Sequence, residues 1–530
     1  MMRSLSKSKK FLFNYVVVYS RFLLTNNFDR VRDDLVSLAK NGELHALSKY
    51  LFFEKKENLD KNLLEIAKNI EKKDNKSPEE WEVVASLHSK DIVPCFCEHK
   101  LCNAIEMEDY FTGALADYDY TRDEYDHGRC NEDNLNLRVD KMFNIYRNLL
   151  ATDYIKGTSI EVAFVSTNSI CQGQQAVTMW KPLFEKGIKI QFAYRTFVWD
   201  SEAQQKARVH CVIVGFSFVD RKSKIIYDNN RVRIVSNINS YLIDAEDKFV
   251  ESRSTPICDV PQIRFGSMPR DGGGFILTDE EKEEIIKKEP LSAKWIHPYI
   301  GAYEFLNNKS RWCLWLIDAN PHELKQCPTV MKRIEFVKNF RLNSKAEGTR
   351  KFAETPTIFC QIAQPNSDYI AIPKTSSEKR KYIPIGFLDK NIIASDLLFL
   401  IPDANIYHFG ILTSNVHNAW MRTLCGRLKS DYRYAKDIVY NNFPWPSPTK
   451  EQQAKIEKTA QSILTAREKY KDCSLADLYD EVTMPPELRK AHQLNDKAVM
   501  EAYGFWGKVK TESECVAELM KMYQKLVENK

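Results

Sequence analysis

A strand that runs into a long polar turn and then a helix constrains this chain more than any other feature. Glu161 to Val165 reads as a strand, Ser166-Thr167-Asn168-Ser169-Ile170-Cys171-Gln172-Gly173-Gln174-Gln175 is the turn, and Gln174 to Lys186 has helical periodicity. Gly187 can close that helix in the left-handed cap position. In an open α/β sheet a ligand sits at the carboxyl end of a strand facing a helix N-terminus, so the turn is read as a nucleotide-type site. Ile188 to Ala193 and Ala207 to Phe218 continue as strands. Asp220-Arg221-Lys222-Ser223 is expected to turn the second of these back on Ile225-Ile226-Tyr227. The order β, α, β, β, β suits half of a doubly wound sheet closed by an antiparallel edge.

With 530 residues the chain exceeds one ordinary core and is expected to hold two or three domains. Hydrophobic residues make up 43% and charged residues 28%, which is globular and soluble in character. The net charge of +5 permits a polyanionic partner without demanding one. The 13 cysteines are irregularly spaced, as expected of reduced thiols in a cytoplasmic protein. Phe11 to Leu24 follows Lys7, Lys9 and Lys10, but Asn14, Ser20 and Arg21 interrupt it and it is too short to span a bilayer. A buried or partner-binding helix is expected there, with no membrane partner.

Residues 1–105 read as helical, with Lys-rich faces around Glu54 to Lys76, and residues 106–138 as an acidic, Tyr-rich solvated linker. Cys95-x-Cys97-x-His99-x-x-Cys102 gathers four metal-ligand types, but the spacing is tight and a distant second pair is missing, so no metal is expected. Strands are expected at Ile358 to Ile362, Tyr369 to Ile372, Tyr382 to Phe387 and Leu397 to Ile401, and helices at Pro321 to Lys345 and Gly410 to Leu424. Pro444, Pro446 and Pro448 end that region. Amphipathic helices follow to residue 530, parted by Met484-Pro485-Pro486.

Several ordered motifs carry a family resemblance. Phe164-Val165-Ser166-Thr167-Asn168-Ser169-Ile170, Gln172-Gly173-Gln174-Gln175, Trp180-Lys181-Pro182-Leu183-Phe184 and Ala193-Tyr194-Arg195-Thr196-Phe197 begin the series. Val209 to Phe216, Trp312-Cys313-Leu314-Trp315-Leu316, Tyr382 to Phe387, His408 to Asn415 and Asn441-Asn442-Phe443-Pro444-Trp445-Pro446 complete it. Together they resemble the Type IIG, MmeI-like class of restriction-modification DNA methyltransferases over roughly residues 140–506. The resemblance implies a partial Rossmann-like methyltransferase sheet in 139–262, an α+β target recognition domain in 263–448, and a helical C-terminal region in 449–530. Residues 1–138 have no assigned role. It also implies S-adenosyl-L-methionine as methyl donor, adenine N6 as acceptor, and double-stranded DNA as partner, with the target base flipped out of the stack.

Two constellations that such an amino methyltransferase needs are not found. One is a glycine-rich strand-to-helix turn for the donor; the other is an Asn/Asp-Pro-Pro-Tyr/Phe loop that orients the amine. Gly272-Gly273-Gly274 lies after the sheet, and Met484-Pro485-Pro486-Glu487 has the wrong first and last residues. The chain is therefore expected to recognise DNA without catalysing alone. A gene fragment, a specificity protein and one half of a split enzyme with a complementary methyltransferase half all remain open. The alternative is a non-enzymatic interaction remnant without DNA affinity.

Ser166, Thr167 and Asn168 either line a target-base pocket or, through Asn168 and Gln172, cap the following helix. His210, between Val209 and Val212, is expected to be a satisfied core imidazole. Arg341, Lys345, Arg350 and Lys351, then Lys379, Arg380 and Lys381, then Arg422, Arg427, Arg433 and Lys436 are expected to bind DNA phosphates. Lys429 and Asp431, two apart on an expected extended segment, are candidates to read one G·C pair together, the amine on guanine and the carboxylate on cytosine N4.

Overall fold

The computed structural model describes residues 32–54, 58–73, short stretches between 76 and 87, residue 148, and 151–528 apart from 200–208, 229–230 and 429. Two compact units meet in sequence between residues 154 and 155. The first contains helices α1 (Leu44–Phe53) and α2 (Lys61–Lys72). Asp60 starts α2 by accepting from the N–H groups of Asn62 and Leu63. Leu63, Ala67 and Ile70 then form one buried stripe, in a core with Leu47, Tyr50 and Leu51. The run Phe11 to Leu24, the Cys95, Cys97, His99 and Cys102 cluster and the acidic segment 106–138 lie outside the described residues.

The second unit opens with β1 (Val162–Thr167), α3 (Gly173–Glu185), β2 (Lys189–Trp199), β3 (Val209–Ser217), β4 (Lys224–Asp228) and β5 (Arg231–Val235). The strands lie in the order β1-β3-β2-β4-β5, with β3 antiparallel to both neighbours and β4 parallel to β2. The hairpin expected between β3 and β4 does not form. Both edges of β3 are taken by β1 and β2, so β4 pairs instead with the far edge of β2, Phe192 opposite Ile225 and Tyr194 opposite Tyr227. Helix α3 buries Ala176, Met179, Trp180 and Leu183, a stripe at helical spacing. Trp180 Nε1 donates to the Ile170 carbonyl at 3.0 Å and so ties the polar turn to the helix. Gly187, at φ 93°, ends α3 as expected. Its N–H and that of Ile188 bond back to Phe184 and Leu183, a Schellman closure.

Farther along, β6 (Arg264–Phe265), β7 (Tyr369–Pro373), β9 (Gly386–Leu388) and β10 (Leu398–Pro402) make a sheet in the order β9-β7-β10-β6. A second sheet joins Ile276–Leu277, Ile296–Ile300, Trp312–Leu314 and Ile393–Ala394. The helix expected from Pro321 to Lys345 is two, Pro321–Leu324 and α4 (Pro328–Leu342), because Pro328 has no N–H to give and can only begin a helix. Gly410 to Leu424 likewise divides into α5 (Ile406–Leu412) and α6 (Asn415–Leu424), since the Ser414 hydroxyl accepts from the His417 N–H and starts a new helix. The strand expected over Ile358 to Ile362 shrinks to one bridge between Gln361 and Met268. The Ile358 carbonyl, a group that a ladder would need, is taken by Arg341.

The chain closes with β8 (Thr375–Ser376), β11 (Gly426–Leu428) and β12 (Asp431–Arg433) in a small sheet of order β8-β12-β11, and with helices α7 (Lys450–Glu468), α8 (Pro486–Ala502) and α9 (Glu512–Glu528). One apolar core takes in Ile370, Ile401 and Trp420 together with Ile456, Val499 and Leu519. The packing therefore runs across residue 448. No helix among the described residues is long and apolar enough to cross a membrane.

Candidate functional site

The polar turn after β1 opens onto a cleft of about 410 Å³. Asn168 and Gln172 come from the turn, Arg195 and Asp228 from β2 and β4, Arg422, Arg427 and Tyr432 from α6 and the β11–β12 hairpin, and Glu512 and Ser513 from the start of α9. The site thus joins the first sheet, the hairpin and the helical tail. At its closest the turn touches the hairpin backbone: a Cβ on Gly173 would lie 3.8 Å from the Gly426 nitrogen. Gly173 itself sits at φ 54°, the left-handed region that a side chain resists.

Capping does not account for the turn's polar residues. The α3 N-cap, Gln172, makes no side-chain cap bond, and neither does Thr167 at the start of the short 3-10 turn. Thr167 Oγ1 instead lies 2.8 Å from Ser169 Oγ, and Ser166 is buried. Asn168 is only 6% exposed, yet its Nδ2 has no hydrogen-bond partner, nor has Gln172 Oε1, nor either amide atom of Gln175. A buried amide atom left unpaired costs about 1 to 3 kcal/mol, and the two in the cleft wall, on Asn168 and Gln172, are what a polar ligand would satisfy. Burial pushes the Cys171 thiol, in the same wall, well above its usual range, so it stays protonated.

The arginines of the cleft are braced by carboxylates. Arg195 Nη1 is 2.8 Å from Asp228 Oδ2 and 3.3 Å from Ser513 Oγ. Arg422 Nε is 3.2 Å from Glu512 Oε2, and its Nη1 donates to the Lys381 carbonyl at 2.9 Å. Burial opposes the Arg422 charge, but Glu512 outweighs it and the group is held firmly cationic. Arg427 Nη1 reaches Glu378 Oε2 at 3.0 Å and the Ser430 carbonyl at 2.6 Å, and its guanidinium lies 4.2 Å over the Tyr432 ring. Arg427 Nε is left without a partner. Glu378 Oε2 is also 3.2 Å from His210 Nε2, so the carboxylate ties β3 to the hairpin. His210 is satisfied, as expected, although by a carboxylate at the cleft margin.

Arg341 is not a phosphate ligand. It is fully buried, and its five N–H groups go to five carbonyls, those of Arg270, Phe352, Thr355, Pro269 and Ile358, at 2.7 to 3.1 Å. Arg350 is exposed but bonds the carbonyls of Ser344 and Lys345. Lys436 pairs with Asp437. Arg380 is half-buried, and burial lowers its pKa against the pull of Asp431 and Asp480. Lys345, Lys351, Lys379, Lys381 and Arg433 remain exposed to solvent.

Asp431, a candidate base reader, opens β12 opposite Leu428 of β11. Lys429 lies outside the described residues. Glu378, Glu512 and Ser513 carried no sequence signal, since their roles arise only when distant segments meet. Arg195 did carry one, because it stands in a quoted motif.

No donor cradle fits the glycine triplet. A Cβ on Gly272 would lie 2.6 Å from the Phe340 ring and one on Gly274 2.5 Å from Val337, so these glycines let a loop close on α4. Among the described residues no group of three or more His, Cys, Asp or Glu is arranged to hold a metal ion.

Comparison with known proteins bears on the same segments. Residues 116–228 match the DNA-methyltransferase domain of MmeI, 244–447 its target recognition domain, and 448–529 its C-terminal domain. DNA methyltransferase A of Bacillus subtilis (strain 168) is 41% identical over 376 residues, which are 71% of this chain and 42% of the relative. The chain thus spans less than half the length of that curated relative. The Type IIL restriction-modification enzyme MmeI, solved in complex with DNA, superposes with a TM-score of 0.69 at 33% identity, over 98% of this chain and 78% of that one.

Proposed function

Because this chain belongs to the MmeI family of Type IIL restriction-modification DNA methyltransferases, we infer that it recognises a specific sequence in duplex DNA. In this reading the cleft at Asn168 forms one wall of the pocket for an extruded adenine. The observation that carries it is the set of unpartnered polar atoms there, Asn168 Nδ2, Gln172 Oε1 and Arg427 Nε, at the joint between sheet and hairpin. An amide donor and an amide acceptor in the wall of one cleft suit the ring nitrogen and N6 amine of adenine.

The donor turn and the amine-orienting loop are missing from the sequence, so we assign S-adenosyl-L-methionine binding to a complementary methyltransferase half. Alone, the chain then binds DNA without transferring methyl groups to adenine N6. A cytoplasmic location follows from the substrate. Exposed Lys381 and Arg433 supply phosphate contacts beside the cleft, whereas Arg422 and Arg427 hold its shape.

The test is anisotropy of a fluorescent duplex titrated with the chain at several salt concentrations. Affinity should fall linearly on logarithmic axes. Replacing Lys381 and Arg433 by Ala should flatten that slope by about 1.8, the loss of two phosphate contacts. No binding, or a slope unchanged in a folded double variant, would return the chain to the reading of an interaction protein without DNA affinity.

A further inference from the structure

A second cavity, of about 650 Å³, lies between β5 and the helical tail. β5 gives it Arg233, the segment after α8 gives Tyr503, Phe505 and Lys508, and α9 gives one face that includes Ala517 and Lys521. Of the described lining residues, Ser513 alone is shared with the cleft at Asn168.

Arg233 is the informative residue. Its register partner Ile226 is buried, and so is Val235 two positions on, so strand alternation sets Arg233 on the packed side of the sheet. Its side chain has no ion pair or hydrogen bond among the described residues, and Nη2 is buried without a partner. A guanidinium held from water without a counter-charge is costly. Lys508, which is exposed, has no side-chain partner among the described residues either. The carboxylates of the same wall are committed elsewhere. Asp244 Oδ1 accepts from the Ser236 hydroxyl at 3.5 Å and the Asn237 N–H at 3.4 Å, and Glu514 Oε2 accepts from the Lys510 N–H at 2.7 Å. Glu518 Oε1 pairs with Lys521 Nζ at 2.7 Å. The charge left uncommitted is therefore positive. Beside it the wall is flat: the Tyr503 and Phe505 rings stack with centroids 5.1 Å apart at 23°. A hydrogen bond of 2.8 Å from the Tyr503 hydroxyl to the Pro444 carbonyl holds that ring in place.

We propose that this cavity binds a small phosphorylated molecule of the nucleoside monophosphate class, its phosphate on Arg233 and Lys508 and its ring against Tyr503 and Phe505. A phosphate dianion matches two cations, and a guanidinium fork takes two of its oxygens. Stacked aromatic rings suit a flat ligand better than an aliphatic chain. The volume is that of a small-molecule site. The proposal does not depend on the reading of the Asn168 cleft.

The test is calorimetric titration of the full chain with adenosine, guanosine, cytidine and uridine monophosphates, and separately with the parent nucleosides and inorganic phosphate. At least one nucleotide should bind. Its nucleoside and phosphate alone should each bind about tenfold or more weakly, since each lacks one of the two contacts. Lys508→Glu alters an exposed side chain and should weaken that nucleotide about tenfold or more, with the melting temperature and the affinity for duplex DNA unchanged. Ala517→Phe, which narrows the cavity, should abolish nucleotide binding. Absence of binding by the wild-type chain, or affinity that both variants leave unchanged, overturns the proposal. Inorganic phosphate binding as tightly as the nucleotide also overturns it, because the aromatic wall would then contribute nothing. So does displacement of the nucleotide by duplex DNA, which would make the cavity part of the DNA surface.

Discussion

Arg341 shows how far a residue's chemistry depends on its surroundings. With all five N–H groups on carbonyls, the guanidinium acts as a staple for the loops at 269–270 and 352–358. Arg341→Ala should cost about 3 to 5 kcal/mol by denaturant unfolding, the range for removing a buried charged partner. Arg341→Lys should rescue little, since an ammonium has three donors and no fork. A loss under about 1 kcal/mol together with a flatter DNA salt slope would restore the phosphate reading. Acid stability is set by other buried groups. Burial depresses His417 to about 3 and holds His492 well below its usual value, so each stays neutral when folded. Unfolded, both take a proton below 6.5, and the stability present above that pH is lost as pH falls. Asp496 has the opposite sign. Burial raises it to about 6, against hydrogen bonds from Tyr382 and Asn415 that favour the charged form, so the folded state takes its proton first. Between 3.8 and about 6 it offsets one histidine, leaving a loss of about 1.4 kcal/mol per pH unit from these three groups. Asp496→Asn should steepen that to about 2.7 kcal/mol per pH unit, read from denaturant midpoints across pH. An unchanged slope would show that Asp496 does not take up a proton ahead of unfolding.

At the scale of elements, local patterning was legible and long-range pairing was not. The sequence pattern marks β1, β3, β4 and α3 within a few residues, because alternation and the Gly187 cap are local properties, while β2, expected to end at Ala193, runs on to Trp199. It places β4 against the wrong strand, since nothing in Asp220 to Ser223 records that β3 already has two neighbours. Pro328 and Ser414 break helices at points where an apolar period runs on, and both are start signals that a period alone overrides. In the site, Asn168 and Gln172 could be singled out from one turn, whereas Glu378 and Glu512 become part of it only through folding. Glu378 gives an element-scale prediction. Glu378→Gln should loosen the β11–β12 hairpin from β3, costing about 1 to 3 kcal/mol through the lost charge on Arg427 and His210. The melting temperature should drop and the set of bound DNA sequences should widen, with the salt slope unchanged. A variant with the wild-type preference would remove the hairpin from recognition.

For the whole molecule, a continuous core from helix α3 to α9 means that recognition and tail move together, because Ala176, Trp420 and Leu519 belong to one buried cluster. Deleting residues 449–530 should therefore unfold the recognition region rather than release it, giving a chain without cooperative melting. A cooperative transition in the truncated chain would show an independent domain. The purified full chain should also leave duplex DNA unmethylated in the presence of S-adenosyl-L-methionine. Incorporation of labelled methyl groups over several turnovers would place a complete donor site within this sequence. The most direct measurement of the central claim is selection of bound sequences from a randomised duplex library by the purified chain, repeated at two salt concentrations. Sequence-specific recognition predicts one consensus that both conditions return, with retention falling steeply as salt rises. Retained sequences indistinguishable from the input, at a yield that salt does not change, would contradict it.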